Sequence, residues 1–173
     1  MKKNFSDRKT FIIAELSANH QHNIKIAVKS LREASKAGVD AMKLQTYTPD
    51  TMTIDADNSY FQVKHEKWGG QTLYDLYKKA YTPWDWFKVL KKEADKLGIL
   101  LFSTAFDKTA VDYLENFGCP IHKIASFELV DIPLVEYVAK TRKPLIMSTG
   151  MANLDEVADA VSAARRAGAK DIT

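Results

Sequence analysis

Short, unbroken hydrophobic runs recur along the chain at intervals that suit alternating strands and helices. Because these runs do not alternate between apolar and polar positions, they are typical of parallel strands that are covered on both faces. Five runs of strand length are present: FIIAEL from Phe11, AMKLQTY from Ala41, ILLFSTAF from Ile99, IHKIAS from Ile121 and PLIMSTG from Pro144. They predict five parallel strands.

The segments between these runs repeat apolar residues on one stripe at helical spacing. The stripes contain Ile24, Val28, Leu31 and Ala34; Phe87, Leu90, Ala94 and Leu97; Val111, Leu114 and Phe117; Leu134, Val135 and Val138; and Leu154, Val157 and Val161. The segments therefore predict five helices, the fourth of them brief.

Helix boundaries can also be predicted from the sequence. A glycine separates four of the helical segments from the next apolar run, where a left-handed residue commonly ends a helix; these are Gly38, Gly98, Gly118 and Gly168. Thr82, Pro83 and Asp85 predict the N-cap, N1 and N3 positions of one helix. Asn153 and Glu156 have the spacing of a capping box.

The repeat of strand and helix predicts a parallel α/β sheet, which is either open and doubly wound or closed as a barrel. An open nucleotide-binding sheet carries a glycine-rich turn after its first strand, but the turn here, SANHQHN, contains no glycine. Instead the strands end in polar side chains, as at the mouth of a (β/α)₈ barrel. We predict a TIM barrel of which residues 1–173 form the first five to six βα units.

The length of the chain is short for a complete barrel. Barrels of this type take about 250 residues, whereas this chain ends at AKDIT, where a sixth strand is expected to begin. Five units would leave unpaired strand edges, which proteins usually avoid. We therefore expect the chain to be the N-terminal part of a longer polypeptide.

Composition narrows the range of partners. The chain is 46% hydrophobic and 27% charged, with a net charge of +3 and no basic tract, so we expect no nucleic-acid partner. It contains no apolar stretch long enough to span a bilayer, so we expect no membrane partner. Cys119 is the single cysteine, which rules out an intrachain disulfide and fits a cytoplasmic location.

Polar residues cluster near the ends of the predicted strands. Lys43 and Gln45 are two apart within one strand, so they point to the same face. Lys123 and Ser126 have odd spacing, which requires the strand to end or twist between them. Because the ends of parallel strands meet at one rim, we expect these residues to converge there with Glu15, Asn19, His20, Ser103, Thr104, Ser148, Thr149 and Gly150.

Two converging lysines require an energetic explanation, because a buried, unpaired ammonium group costs several kcal/mol. In one interpretation Glu15 and Glu128 are their counter-ions. In the other, a ligand anion lies between them, held also by Ser and Thr hydroxyls and by backbone N–H groups near Gly150. Glu15 is then an acid or base, or binds substrate hydroxyls, unless it is only the counter-ion of Lys43.

Histidines and a long aromatic segment complete the candidate site. His20 and His22 lack a recognised zinc spacing, and loop histidines are more often hydrogen-bonding residues, so we assign no metal ligand. His122 is expected to point away from the mouth. Residues 48–81 are long for a βα connection and rich in aromatic residues, Trp68 among them. They predict either a wall for a sugar-like or acylated substrate, or packing on the rim or on a second subunit.

With these motifs assembled, the chain resembles the synthase domain of the sialic acid synthase family. The motifs that carry the resemblance are FIIAELSANH, MKLQTYTPDTM, FSTAFD, HKIASFE and PLIMSTGM, in that order. QTLYDLYKKAYTPWDWF and the NHQHN turn are most similar to pseudaminic acid synthases. N-acetylneuraminate enzymes usually have a glycine-containing NHNG turn and a proline in STPF, where this chain has Ala105.

The resemblance implies an enzyme that condenses phosphoenolpyruvate with an acylated amino-sugar aldehyde and releases phosphate. Glu15 would lie at the reacting centre, with Gln45 and Glu128 near the sugar. Phosphoenolpyruvate would be held by Lys43, Thr104, Lys123, Ser126, Ser148 and Gly150. The resemblance also implies Mn²⁺ or Mg²⁺ with ligands beyond Thr173, a C-terminal antifreeze-like domain that is absent from this chain, and a homodimer of the full-length protein. Residues 1–173 alone are expected to be inactive.

Two other functions compete with this one. In the first alternative, the protein is a Schiff-base aldolase on the same fold, with Lys43 or Lys123 as the nucleophile. The hydroxyl groups around both lysines favour anion binding instead, which raises the pKa of a lysine. The second alternative is a non-catalytic fragment that retains a phosphate-binding site.

Overall fold

In a computed structural model, which describes residues 10–64 and 69–173, five parallel strands form one sheet in the order β1-β2-β3-β4-β5. Trp68 lies outside the described residues. The strands are β1 (Ile13–Glu15), β2 (Ala41–Thr46), β3 (Leu100–Ala105), β4 (His122–Ile124) and β5 (Leu145–Met147). The helices are α1 (Ile24–Lys36), α2 (Pro49–Met52), α3 (Leu73–Ala80), α4 (Trp86–Leu97), α5 (Lys108–Asn116), α6 (Ile132–Ala139) and α7 (Leu154–Ala167), with a 3₁₀ turn at Glu128–Val130.

The strand order distinguishes between the two predicted architectures. A doubly wound sheet reverses its strand order at a switch point, whereas here each strand pairs with the next one in sequence. The start of a further strand follows β5, because the Thr173 N–H donates to the Leu145 carbonyl at 2.9 Å and Ile172 bridges Leu145 in parallel. The sheet is therefore half of a barrel, and the expected onset of a sixth strand is confirmed.

The hydrophobic core lies on the side of the sheet that the helices cover. Met42 and Leu44 of β2 and Ile124 of β4 are almost wholly buried, and they belong to one cluster with helix residues such as Leu31 and Leu90. Burial of each such side chain contributes about 1.5–3 kcal/mol. The opposite face carries the polar residues of the site together with buried apolar side chains such as Ala41 and Phe102.

Most of the predicted boundaries agree with the structure, and one is wrong. The capping box of Asn153 and Glu156 is present at the start of α7. Thr82, however, is not the N-cap of α4. The helix begins at Trp86, after a turn, and the Thr82 hydroxyl contacts His20 Nε2 at 3.1 Å instead. The Thr82 hydroxyl, which the local sequence pattern predicted to cap a helix, therefore forms a tertiary hydrogen bond instead.

The long connection between β2 and α4 contains both short helices, α2 and α3. The hydroxyl of Tyr74 donates to Asp50 Oδ1 at 3.0 Å and so ties α3 to α2. The rings of Tyr47 and Tyr77 pack edge to face with centroids 5.7 Å apart. The part of this segment that the structure describes therefore folds back over the end of β2.

None of the helices of residues 10–64 and 69–173 is long and apolar enough to cross a membrane.

A buried histidine joins β4 to the helix layer. His122 Nε2 lies 2.7 Å from Glu115 Oε1, which also accepts a hydrogen bond from Lys143 at 2.7 Å. His122 thus points away from the strand ends, as predicted. Burial lowers the pKa of His122, and Glu115 only partly opposes this effect. Burial alone would raise the pKa of Glu115, but the hydrogen bonds from Lys143 and His122 outweigh it and lower that pKa.

Replacement of this carboxylate, Glu115→Gln, is expected to lower the free energy of unfolding by about 1 kcal/mol at pH 7. Charge-assisted hydrogen bonds contribute more than this when buried, but Glu115 is one-third exposed and screened by solvent. Since the folded-state pKa of Glu115 is lowered, its contribution is present above about pH 4.5 and is lost as the pH falls through the folded-state value. Urea unfolding at pH 7 and pH 3.5 measures both effects.

Glu33→Gln is the matched control, because Glu33 forms an exposed i,i+3 pair with Lys36 at the end of α1. It is expected to change stability much less than Glu115→Gln. Equal losses in the two variants would contradict a structural role for the His122–Glu115–Lys143 cluster.

Candidate active site

The register of the sheet brings together side chains that are far apart in sequence. Glu15 of β1 is paired with Lys43 of β2, Gln45 with Thr104 of β3, and Thr104 with Lys123 of β4. Paired residues of adjacent parallel strands point to the same face. Four strands therefore direct these side chains to the face opposite the helices, near the carboxyl ends of the strands.

Lys43 already has polar partners within the protein. Its ammonium group forms an ion pair with Glu15, whose side chain is 42% exposed against 15% for Lys43. Lys43 Nζ also donates to Thr104 Oγ1 at 3.4 Å. The internal pairing considered for Lys43 is thus present, but its carboxylate partner is accessible to solvent and can exchange for another anion.

Lys123 is held in a different environment, with a total exposure of 8%. Its ammonium group donates to the carbonyl oxygen of Ile124 in the same strand. Burial, together with the positive charge of Lys43, lowers the pKa of Lys123 to about 8, and the charges of Glu15 and Glu128 only partly oppose this. The two lysines are therefore close enough to repel one another.

Ser126, Ser148 and Gly150 lie beside this pair. β4 ends at Ile124, so Ser126 follows the strand, which explains its odd spacing from Lys123. A Cβ at Gly150 would lie 3.9 Å from that of Ser126. The Ser148 N–H donates to the Ile124 carbonyl at 3.1 Å, the same oxygen that Lys123 contacts. The loops after β4 and β5 thus approach each other at Ser126 and Gly150, and the backbone of Ser148 shares an acceptor with the Lys123 ammonium group.

A cavity of about 810 Å³ adjoins these charged groups. Gln45 and Glu128 line it, whereas Lys43 and Lys123 lie outside its lining. Much of the wall is aromatic or apolar, and it includes Tyr47, Met52, Leu76, Tyr77, Phe106 and Phe127. The arrangement has two compartments, a cationic one at the strand ends and an amphipathic one beneath α3.

Glu128 lies in the wall of this cavity with an incomplete set of hydrogen bonds. Its Oε2 atom is buried and has no partner. Burial raises the pKa of Glu128, and burial together with the nearby Glu128 charge raises that of Tyr77. Since an unpaired buried carboxylate oxygen is costly, this atom is well placed to bond a polar group of a ligand.

Two residues predicted at the rim have other roles. Ser103 neighbours Thr104 on β3, so the two side chains point to opposite faces, and Ser103 Oγ lies 2.7 Å from Thr46 Oγ1 in the buried layer. Placing Ser103 at the mouth was therefore wrong. Asn19 Nδ2 donates to the Leu16 carbonyl at 3.1 Å and so stabilises its own loop.

Several wall residues were not singled out as candidates from the sequence. Phe106 and Phe127 line the cavity from just beyond the ends of β3 and β4. Both residues lie within motifs that carry the family resemblance, FSTAFD and HKIASFE, and this position could have identified them as candidates. Tyr47, one residue after β2, is buried, and burial raises its pKa to about 12. Ala18 and Gln21 line the cavity from the loop after β1.

Within residues 10–64 and 69–173 no group of three or more His, Cys, Asp or Glu side chains is arranged to hold a metal ion. The described side chains thus do not by themselves fit the divalent ion that the family resemblance implies.

Two proteins that are similar in sequence to the chain are both pseudaminic acid synthases. The chain is 44% identical over 162 residues to pseudaminic acid synthase of Helicobacter pylori, covering 94% of the chain and 48% of that protein. It is 46% identical over 152 residues to pseudaminic acid synthase of Campylobacter jejuni, covering 88% of the chain and 44% of that protein. The chain spans about half the length of these curated relatives.

Solved structures agree with the sequence relatives. The spore coat polysaccharide biosynthesis protein SpsE of Bacillus subtilis superposes with a TM-score of 0.76 at 30% identity, over 96% of the chain and 43% of that structure. The N-acetylneuraminic acid synthetase of Leptospira borgpetersenii superposes with a TM-score of 0.79 at 30% identity, over 92% of the chain and 51% of that structure. The NeuB family model matches residues 30–173. The chain therefore belongs to the NeuB family.

Proposed function

We propose that the chain forms the N-terminal part of a (β/α)₈-barrel synthase that condenses phosphoenolpyruvate with an acylated amino-sugar aldehyde. The product is a nine-carbon 2-keto sugar acid, and phosphate is released. The observation that carries the proposal is the meeting of Lys43 and Lys123 around Thr104, beside a large cavity with aromatic walls. Pseudaminic acid synthases are among the relatives, which supports an acylated sugar as the second substrate.

The cationic compartment has the chemistry that phosphoenolpyruvate requires. This substrate carries a phosphate and a carboxylate, and two ammonium groups with adjacent hydroxyl and backbone donors match that charge. Lys43 would exchange its contact with Glu15 for a substrate oxygen. Lys123, Thr104, Ser126, Ser148 and Gly150 would supply the remaining contacts. A bound dianion would remove the repulsion between the two lysines, so binding and relief of repulsion reinforce each other.

The reaction then follows from the relative position of the two compartments. Carbon 3 of phosphoenolpyruvate attacks the aldehyde carbon, and the aldehyde oxygen takes up a proton. Water adds at carbon 2, and the resulting tetrahedral intermediate expels phosphate to leave the ketone. Gln45 and Glu128 line the cavity next to the charged groups, where they would orient the aldehyde. Glu15 would lie at the reacting centre once substrate displaces it from Lys43.

The chain spans about half the length of its relatives, so the proposed enzyme needs further residues. We propose that these provide the remaining strands, the antifreeze-like domain and the ligands for the divalent metal ion. The same longer protein would form the homodimer.

A Schiff-base aldolase is the second candidate, because one observation favours it. The pKa of Lys123 is lowered to about 8 by burial and by Lys43, and a lowered pKa increases the fraction of neutral, nucleophilic amine. The clustered hydroxyl donors and the second lysine favour anion binding instead. Borohydride treatment in the presence of substrate, followed by mass spectrometry, separates the two: a covalent adduct on Lys123 would replace our proposal with this one.

The most direct test is an assay of the full-length protein with phosphoenolpyruvate and a panel of acylated amino sugars. The expected result is phosphate release that depends on one of the sugars, with a nine-carbon keto acid identified by mass. Absence of phosphoenolpyruvate consumption with every sugar, from a folded protein supplied with Mn²⁺ or Mg²⁺, would contradict the proposed function.

Lys43→Ala and Lys123→Ala in the full-length protein are each expected to raise KM for phosphoenolpyruvate about 10- to 100-fold. Each substitution removes a charge-assisted hydrogen bond worth about 1.5–3 kcal/mol. Steady-state kinetics with saturating sugar measures the effect. Lys140→Ala, on an exposed residue after α6, is the matched control and should leave that KM unchanged, and unaltered phosphoenolpyruvate kinetics in both site variants would contradict the assignment.

The lowered pKa of Lys123 predicts a pH dependence for phosphoenolpyruvate capture. In the free protein Lys123 is cationic below about pH 8 and loses its charge as the pH rises through that value. The value of kcat/KM for phosphoenolpyruvate should therefore fall above about pH 8, whereas kcat should fall only at higher pH because the bound anion raises the pKa of Lys123.

Lys123→Arg tests the origin of this pH dependence. A guanidinium group stays charged throughout the range, so the fall in kcat/KM near pH 8 should disappear, even if the longer side chain lowers kcat/KM overall. Persistence of the same fall in Lys123→Arg would assign it to another group.

A further inference from the structure

We propose that His20 is a positioning residue that joins two walls of the cavity and so determines how the sugar substrate is held. This inference rests on the proposed function. It concerns the loop between β1 and α1 (residues 16–23) and the connection between α3 and α4 (residues 81–85). Neither segment contributes a group to the proposed reacting centre, although Glu15 immediately precedes the loop.

The hydrogen bonds of His20 define its protonation state. The ring is completely buried, and its Nδ1 accepts a hydrogen bond from the backbone N–H of His22 at 3.1 Å. An accepting Nδ1 carries no proton, so the proton of the neutral ring lies on Nε2, which donates to Thr82 Oγ1 at 3.1 Å. Burial and the neighbouring His22 lower the pKa of His20, in agreement with a neutral ring.

Aromatic packing reinforces the same junction. The His20 ring lies edge to face against Trp86 with centroids 5.3 Å apart. The His22 ring contacts Tyr81 at 5.1 Å and Trp86 at 5.9 Å between centroids. Edge-to-face pairs of this kind add to the stabilisation from burial alone. The loop is thus fastened at two adjacent rings to the residues that flank the start of α4.

The loop needs such fastening because its backbone is strained. Ser17, Gln21 and His22 have φ values of +49°, +50° and +52°, a region that costs non-glycine residues free energy. Strained conformations of this type persist only when surrounding contacts hold them in place. The contacts of His20 and His22 have that role.

The loop lines the cavity itself, and the connection to which His20 joins it directly follows residues of α3 that line the cavity. From the loop, Ala18 and Gln21 line it, and Ser17 Oγ donates to Gln45 Oε1 at 3.4 Å. From the other side, Lys79 and Ala80 of α3 line the cavity, three and two residues before Thr82. The bond between His20 and Thr82 therefore sets the distance between two walls and, through Ser17, the orientation of Gln45. The cationic compartment around Lys123 does not depend on it.

The kinetic test uses His20→Phe and Thr82→Val in the full-length protein. Phenylalanine retains a ring against Trp86 but removes both hydrogen bonds, and valine removes only the hydroxyl. Each variant is expected to raise KM for the sugar about tenfold while KM for phosphoenolpyruvate stays within about twofold. The double variant should be no worse than either single one, and Thr82→Ser should restore the sugar KM to near the wild-type value.

His122→Phe is the matched control, because His122 is an equally buried histidine on the helix side of β4. It is expected to lower thermal stability without changing the sugar KM. Three outcomes would overturn the inference: wild-type sugar KM in folded His20→Phe, an equal rise of KM for both substrates, or the same rise of the sugar KM in His122→Phe.

A second measurement does not depend on activity. Long-range ¹H–¹⁵N NMR spectra of the protein should show a proton on Nε2 and an unprotonated Nδ1 for His20 at pH 7, with titration only below pH 6.5. A proton on Nδ1, or titration like that of a free imidazole, would overturn the proposed junction. If the spectra agree but the wild-type protein consumes no phosphoenolpyruvate, the proposed function fails and the junction stands.

Discussion

The site depends on one electrostatic constraint, which is that two ammonium groups are held close together at the ends of neighbouring strands. Burial and the charge of Lys43 both act against the charged form of Lys123, and such a group is unfavourable unless it is paired. The register of the sheet imposes this proximity, since Lys43 and Lys123 both lie beside Thr104. Stability supplied by the helix-covered face of the sheet offsets the cost, and a ligand dianion would remove it.

The part of the site that could be predicted is the part governed by strand periodicity. Lys43 and Gln45 share a face because they are two residues apart, and Ser126 departs from the pattern because β4 has already ended. The same rule, applied strictly, would have excluded Ser103, which lies next to Thr104 and points into the buried layer. Local rules failed at Thr82, whose hydroxyl contacts a histidine 62 residues away in sequence instead of capping a helix.

The cavity could not be predicted in the same way, because its shape depends on how separate loops pack. Phe106 and Phe127 follow different strands, and both line the cavity only because the loops after those strands turn toward it. The aromatic segment after β2 predicted either a wall for a substrate or packing on the rim or on a second subunit. The described part of it places Tyr77 against Tyr47 and in the wall of the cavity. No periodicity in the sequence specifies which of its many tyrosines faces inward. That selection is made by tertiary contacts such as the one between Tyr74 and Asp50.

His122 and Lys123 illustrate how one strand separates stability from function. They are adjacent in sequence, burial lowers the pKa of both, and they point to opposite faces of the sheet. On the helix side, His122 is joined to Glu115, which Lys143 also contacts, so the charges of that cluster are matched within the protein. On the other side, Lys123 donates to a backbone carbonyl and lies close to a second ammonium group, that of Lys43. Each side has one buried atom without a hydrogen bond, His122 Nδ1 and Glu128 Oε2, so the two sides differ in charge rather than in unsatisfied atoms. The Glu115 carboxylate is bonded by both His122 and Lys143, so it needs no ligand. The desolvated ammonium group of Lys123, next to Lys43, instead favours the binding of an external anion. The difference between these two neighbouring residues is the physical reason for assigning substrate binding to one face of the half-barrel and structural support to the other.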